Sequence, residues 1–151
     1  MGEHHPAASP DEAQALAERV AAAMYERDRA SQALGMHIVR VGAGHAELTM
    51  RVRADMLNGH LTCHGGFIFS LADSAFAFAC NSHGVVTVAA GFEVDFLESA
   101  RLGDELVATA VERALRGRSG LYDVTVRRTS DDTVIAEFRG RSRSTGDPIP
   151  G

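Results

Sequence analysis

The sequence predicts an α+β domain in which a curved antiparallel sheet wraps one long central helix, with a further helix at the N-terminus. Three observations lead there. Residues 67–82 are apolar on nearly every helical face: Phe69, Ala72, Phe76, Ala79 and Cys80 recur at three- and four-residue steps, and Ile68, Leu71, Ala75 and Phe78 fill the gaps. Such a helix must be buried on most sides. Four β-like runs follow it, joined by short turns, and a curling antiparallel sheet is the economical cover for it. With 151 residues and 45% hydrophobic content, the chain is long enough for one core and too short for two.

Each element has its own local reason. Residues 1–10 read as a disordered N-terminus, the single domain as 11–145, and 146–151 as a flexible C-terminus. Asp11 to Arg29 is rich in Ala, Glu and Arg, with Leu16, Val20, Ala23 and Met24 at helical spacing; Ser9-Pro10 supplies an N-cap and a first-turn proline. A short helical turn over Ala30 to Leu34 ends at Gly35. His37 to Val41 and Ala46 to Val52 alternate about Gly42-Ala43-Gly44 and predict a β-hairpin. A loop, Ala54 to Cys63, leads to the central helix, which stops near His83-Gly84. Beyond it the runs Val85 to Leu97, Glu105 to Leu115, Gly120 to Thr129 and Thr133 to Ser144 predict a meander of consecutive antiparallel strands. Tyr122, Val124 and Val126 alternate with Leu121, Asp123, Thr125 and Arg127, so one face of that sheet is wet.

Composition narrows the function. The net charge is −5 and all 15 basic residues are arginine; an acidic chain without a clustered basic helix argues against nucleic acid as a partner. No apolar run approaches membrane-spanning length and the polar N-terminus does not resemble a signal peptide, so no membrane association is expected. Two cysteines, Cys63 and Cys80, are too few for a disulfide framework and fit a reducing, cytoplasmic setting.

The chemistry concentrates in Asn58-Gly59-His60-Leu61-Thr62-Cys63-His64-Gly65-Gly66, which runs directly into the apolar helix. The free N–H groups of a helix's first turn favour an anion, and the glycine pair removes side chains that would block its approach. Asp73 is the only carboxylate in this helix. Desolvation there would raise its pKa toward values useful to a general base. Eight helical residues separate Gly65 from Asp73 by roughly 12 Å along the axis and about 80° around it. One small electrophile cannot touch both on one helix, so a shared reacting centre requires two copies of the chain across a two-fold axis. His60, Cys63 and His64 do not match a common metal-ligand spacing, and no metal is expected. Adjacent Cys63 and His64 are poorly placed for thiolate catalysis.

The element order, Asn58-Gly59-His60 before His64-Gly65-Gly66, and Asp73 in Ser70-Leu71-Ala72-Asp73 resemble the hotdog-fold acyl-CoA thioesterases, most closely the phenylacetic acid degradation (PaaI) type. The resemblance also covers Val94-Asp95-Phe96-Leu97, Gly103-Asp104, Tyr122-Asp123 and Phe138-Arg139-Gly140. It implies that Asp73 is the nucleophile or, through a water, the general base, that the partner's Gly65 amide binds the oxyanion, that Asn58 orients water or thioester, and that His64 braces the loop. It further implies dimers paired into tetramers, with the coenzyme A of an acyl-CoA substrate along a groove between subunits and no separate cofactor. The acyl group expected is (hydroxy)phenylacetyl or a similar aryl or medium-chain group, with Gly66 beside it. Two departures stand out. Where relatives place a strand Ser or Thr against the attacking water, the nearest hydroxyl here is Thr87; where many carry a basic residue and proline after Phe96-Leu97, this chain has Glu98-Ser99-Ala100-Arg101. The phosphate contacts then fall to Arg116, Arg118, Arg139 or Arg141. The alternatives are a hotdog enoyl-CoA hydratase or dehydratase, for which His64 is poorly placed, and a non-catalytic acyl-CoA-binding module, which has no use for Asp73.

Overall fold

The computed structural model describes residues 6–150. Helix α1 (Pro10–Arg27) opens as expected, with the Ser9 hydroxyl accepting the Glu12 N–H at 3.2 Å. It ends earlier than the composition suggests because Asp28 leaves the helix to cap α2 (Arg29–Ala33), its carboxylate accepting the Ser31 N–H and hydroxyl. The first five residues of the expected disordered segment lie outside the described residues.

Strands β1 (His37–Gly42) and β2 (His45–Arg51) form the hairpin, turning on Gly44 at φ +69°. A 3-10 turn at Ala54–Met56 interrupts the expected loop. Helix α3 (Gly65–Asn81) then runs into β3 (Val85–Phe96), β4 (Glu105–Arg116), β5 (Ser119–Arg128) and β6 (Val134–Pro148). β6 reaches into the stretch expected as a flexible C-terminus, and the Ile149 N–H donates to Gly84 O at 2.9 Å.

The six strands form one antiparallel sheet in the order β1-β2-β4-β5-β6-β3, the hotdog arrangement of a sheet around a central helix. The meander holds for β4, β5 and β6 only. β3 pairs with β6 rather than with β4, and the chain crosses over between Phe96 and Glu105. The correction has a physical reason: β2 occupies the other edge of β4, burying its own alternate residues Ala46, Leu48 and Met50 on the helix. With both edges of β4 taken by β2 and β5, β3 pairs along the edge of β6.

Ile68, Leu71, Ala72, Ala75, Phe76, Phe78 and Ala79 of α3 are buried against the sheet and α1. Phe76 meets Phe92 and Tyr122 edge to face, with ring centroids 4.9 and 5.5 Å apart, the arrangement aromatic quadrupoles favour. Gly140 makes room for this cluster, since a Cβ there would lie 2.6 Å from the Phe76 ring. Ser142 and Gly140 of β6 face inward, and Arg139, Arg141 and Arg143 alternate with them onto the outer face. The sheet therefore presents its arginines to solvent and its aromatics to α3.

Candidate active site

The loop before α3 is pinned at several points. Cys63 N–H donates to Ala100 O at 2.7 Å and His64 N–H to Met56 O at 2.8 Å, which sets the start of the helix. His64 is the N-cap: its Nδ1 accepts the Gly66 N–H at 3.0 Å. The cap ties His64 to the first turn of α3 and occupies the Gly66 amide. The Gly65 N–H has no partner among the described residues, as the first turn of a helix leaves its donors unpaired unless capped. A Cβ on Gly65 would lie 3.1 Å from Phe96 Cζ, a tight contact that the ring would have to ease, so glycine leaves this donor the least crowded.

Asn58 turns inward on its own loop. Its Oδ1 accepts the His60 and Thr62 N–H groups at 2.9 and 3.2 Å, and its Nδ2 donates to Thr62 Oγ1 at 3.0 Å. The Asn58 amide is thus committed to loop shape within the protomer. At the loop tip Leu61 holds φ +62° and is 72% exposed; a branched side chain in the left-handed region is strained, and such strain concentrates at functional sites. Nothing in the spacing marks Leu61 beforehand, because its signal is a backbone angle.

Asp73 is half-buried on α3 and borders a cavity of about 220 Å³ with Asp28, Ser31, Met36, Ser70 and Ser74. Burial pushes its carboxyl above the usual carboxylate range, and the Asp28 charge adds to the effect. No hydrogen bond from a described residue offsets either. The second layer is Ser31, whose hydroxyl donates to Asp28 Oδ2 at 2.6 Å and lies 2.8 Å from Ser74 Oγ. Sequence reasoning missed Asp28 and Ser31 because they sit more than forty residues from Asp73 and reach it only when α2 folds over α3.

Other expected residues are dispersed. Thr87 does not border the Asp73 cavity: its hydroxyl donates to Val85 O at 2.8 Å, and its backbone is clamped by the Asn81 side chain at the far end of α3. Arg139 grips Asp123 with two bonds of 2.7 and 3.0 Å; with Arg113 added, these hold the Asp123 carboxyl below its ordinary range. Arg141 makes a looser 3.3 Å pair with the exposed Glu93. Arg116 and Arg141 border an outer-face groove of about 510 Å³ floored by Ala90, Ala114 and Leu121, while Arg118 lies at a smaller cavity near the end of α3.

Cys63 is excluded as a thiolate nucleophile by burial, which pushes its thiol up to about 11. Among the described residues no three His, Cys, Asp or Glu side chains converge as metal ligands would, and no helix is long and apolar enough to cross a membrane.

The family model described as the thioesterase superfamily matches residues 60–135. The acyl-coenzyme A thioesterase PaaI of Escherichia coli (strain K12) is 48% identical over 129 residues, spanning 85% of this chain and 91% of its own. The solved E. coli PaaI protein, from the phenylacetic acid degradation operon, superposes with a TM-score of 0.88 at 44% identity, covering 91% of this chain and 99% of the other. A mutant of the phenylacetic acid degradation protein PaaI from Thermus thermophilus gives 0.74 at 37% identity, covering 77% and 98%. A protein of Streptococcus mutans UA159 solved with acetyl CoA gives 0.72 at 26%, covering 75% and 90%.

Proposed function

This chain belongs to the thioesterase superfamily, among its acyl-CoA thioesterases of the PaaI type, and from that premise we propose that it hydrolyses aryl-acetyl or medium-chain acyl-CoA at a site shared between two protomers. The observation that carries the reading is Asp73, an ionisable carboxyl of raised pKa on a largely apolar helix, facing a cavity and free of structural partners among the described residues. A pure acyl-CoA binder has no use for such a group, whereas a base that takes a proton from water, or a nucleophile, does. The Gly65 N–H supplies the oxyanion donor. One such donor is typically worth about 3 kcal/mol of transition-state stabilisation.

The two groups sit at residues 65 and 73 of one helix, too far apart to serve one carbonyl in a single protomer. Strand β3 offers the means of pairing. It is a twelve-residue strand bonded on one side only, at the sheet margin, and exposes Val88 and Phe96. An unpaired edge of this kind recruits another strand. A two-fold copy along β3 sets each Gly65 against the other protomer's Asp73, with tetramers as a further level of assembly and coenzyme A along the groove between subunits. In this reading Asn58 holds the loop that presents the oxyanion donor. Arg116 and Arg141 are the phosphate ligands best supported, because Arg139 is already bound to Asp123.

The test is complementation by free-thiol release. Asp73→Ala and Gly65→Pro each abolish turnover; proline at the first helical position is tolerated and lacks the N–H. Co-assembled, they regenerate one intact site per heterodimer. Well-folded heterodimers with no recovered activity would refute the shared site.

A further inference from the structure

Among the described residues one buried side-chain polar atom has no hydrogen-bond partner, the Ser142 hydroxyl, and Ser142 is 3% exposed. Several polar neighbours bond elsewhere: Tyr122 OH donates to Glu112 Oε1 at 2.7 Å, Thr87 Oγ1 to Val85 O at 2.8 Å, and Asn81 spans Ala77 O and Thr87. Ser142 borders a cavity of about 120 Å³ at the C-terminal end of α3, lined also by Cys80, Val85, Leu115, Tyr122, Arg118 and Ser144. Beside it on β5 is Gly120, also buried and facing inward. A Cβ at Gly120 would overlap Ser142 Oγ and come within 2.9 Å of the Tyr122 ring.

Two choices that each cost stability therefore meet at one point. A buried hydroxyl without a partner loses its hydration for nothing in return, and a glycine inside a strand weakens it unless something must approach closely. Alanine at position 142 would serve a merely structural strand pair as well or better. Cys80 lies seven residues beyond Asp73 on α3, hence on nearly the same helix face and roughly 10 Å further along, and its thiol feels the Asp73 charge.

We infer that this cavity receives the distal end of the acyl group and that Ser142 is a specificity-determining residue, hydrogen-bonding a hydroxyl carried at that end. The inference rests on the thioesterase reading above. The acyl group runs along α3 from the carbonyl at Asp73 toward Cys80, its apolar body lies on the cavity wall, and its terminal hydroxyl meets Ser142 Oγ in the cavity that Ser142 borders.

The experiment compares kcat/KM for pairs of CoA esters that differ by one terminal hydroxyl, hexanoyl with 6-hydroxyhexanoyl and phenylacetyl with 4-hydroxyphenylacetyl. In at least one pair the wild type favours the hydroxylated ester by about tenfold, the value of one neutral hydrogen bond. Ser142→Ala brings that ratio to about one, and without substrate its Tm equals or exceeds that of the wild type. Gly120→Ala, which crowds the hydroxyl, lowers the same ratio. A wild type indifferent to the hydroxyl in both pairs, a ratio unmoved by Ser142→Ala, or a lowered Tm in that variant overturns the inference. Absence of thiol release from all four esters overturns the thioesterase reading itself, and is distinguished by that from failure of the inference alone.

Discussion

His64 Nδ1 accepts the Gly66 N–H at 3.0 Å, so one residue both caps α3 and leaves the neighbouring Gly65 N–H as the open donor of the first turn. Removing the cap frees a second donor but releases the loop that aims the first. His64→Ala is expected to cost about 1 kcal/mol of stability, measured by denaturant titration, and to lower kcat more than it raises KM. His64→Asn, which caps through its side-chain oxygen, recovers the stability. A variant His64→Ala with unchanged kcat would show that the cap has no part in positioning Gly65.

In the proposed mechanism, the function of Asp73 and its effect on stability pull in opposite directions. The fold raises its pKa, so the native protein binds a proton there more readily than the unfolded chain does. Stability consequently falls as pH rises from the ordinary carboxylate value through the raised one. Asp73→Asn removes this penalty and is expected to raise Tm at pH 7 while losing nearly all thiol release. Calorimetry on the two proteins at pH 7 and at pH 4 checks the sign, since the gap narrows in acid.

Asp28 raises the Asp73 pKa through its charge, after burial. Asp28→Asn keeps an oxygen for the Ser31 N–H that Asp28 now caps at 2.9 Å, and removes the charge. The acid limb of the kcat/KM profile, which reports the free enzyme's base, is expected to move to lower pH with α2 intact. A limb that does not move would place the titrating base elsewhere.

In the proposed function the arginines divide into phosphate ligands, Arg116 and Arg141, and a structural partner, Arg139. Arg116→Ala and Arg141→Ala are expected to raise KM for acyl-CoA about tenfold and to leave turnover of the matching N-acetylcysteamine thioester, which lacks phosphates, unchanged. Arg139→Ala instead releases Asp123 from its two-bonded pair. Its effect appears in stability at neutral pH, where the paired carboxylate is charged, and fades as pH falls below the ordinary carboxylate range. Equal KM effects from all three would refute the division.

Much of this molecule was legible from local chemistry. The all-round apolar surface of residues 67–82 demanded burial, the alternation of Tyr122, Val124 and Val126 named the inner face of a strand, and Ser9-Pro10 and Gly35 marked helix ends. The glycine pair and the lone Asp73 needed only helix geometry to be recognised as a donor and an acid too far apart to cooperate within one chain. These signals are short-range, carried by a residue and its neighbours within a turn or two.

Tertiary structure alone decided the rest, because it depends on which distant surfaces meet. Pairing of β3 with β6 followed from β2 having taken the free edge of β4, a competition no strand's own pattern records. Asp28 and Ser31 reached Asp73 only through the fold of α2 across α3, and Arg139 met its cross-strand partner Asp123 only once β5 and β6 paired. Ser142 was the least legible of all: a serine in a strand looks ordinary until its hydroxyl is seen to be buried with no hydrogen-bond partner among the described residues.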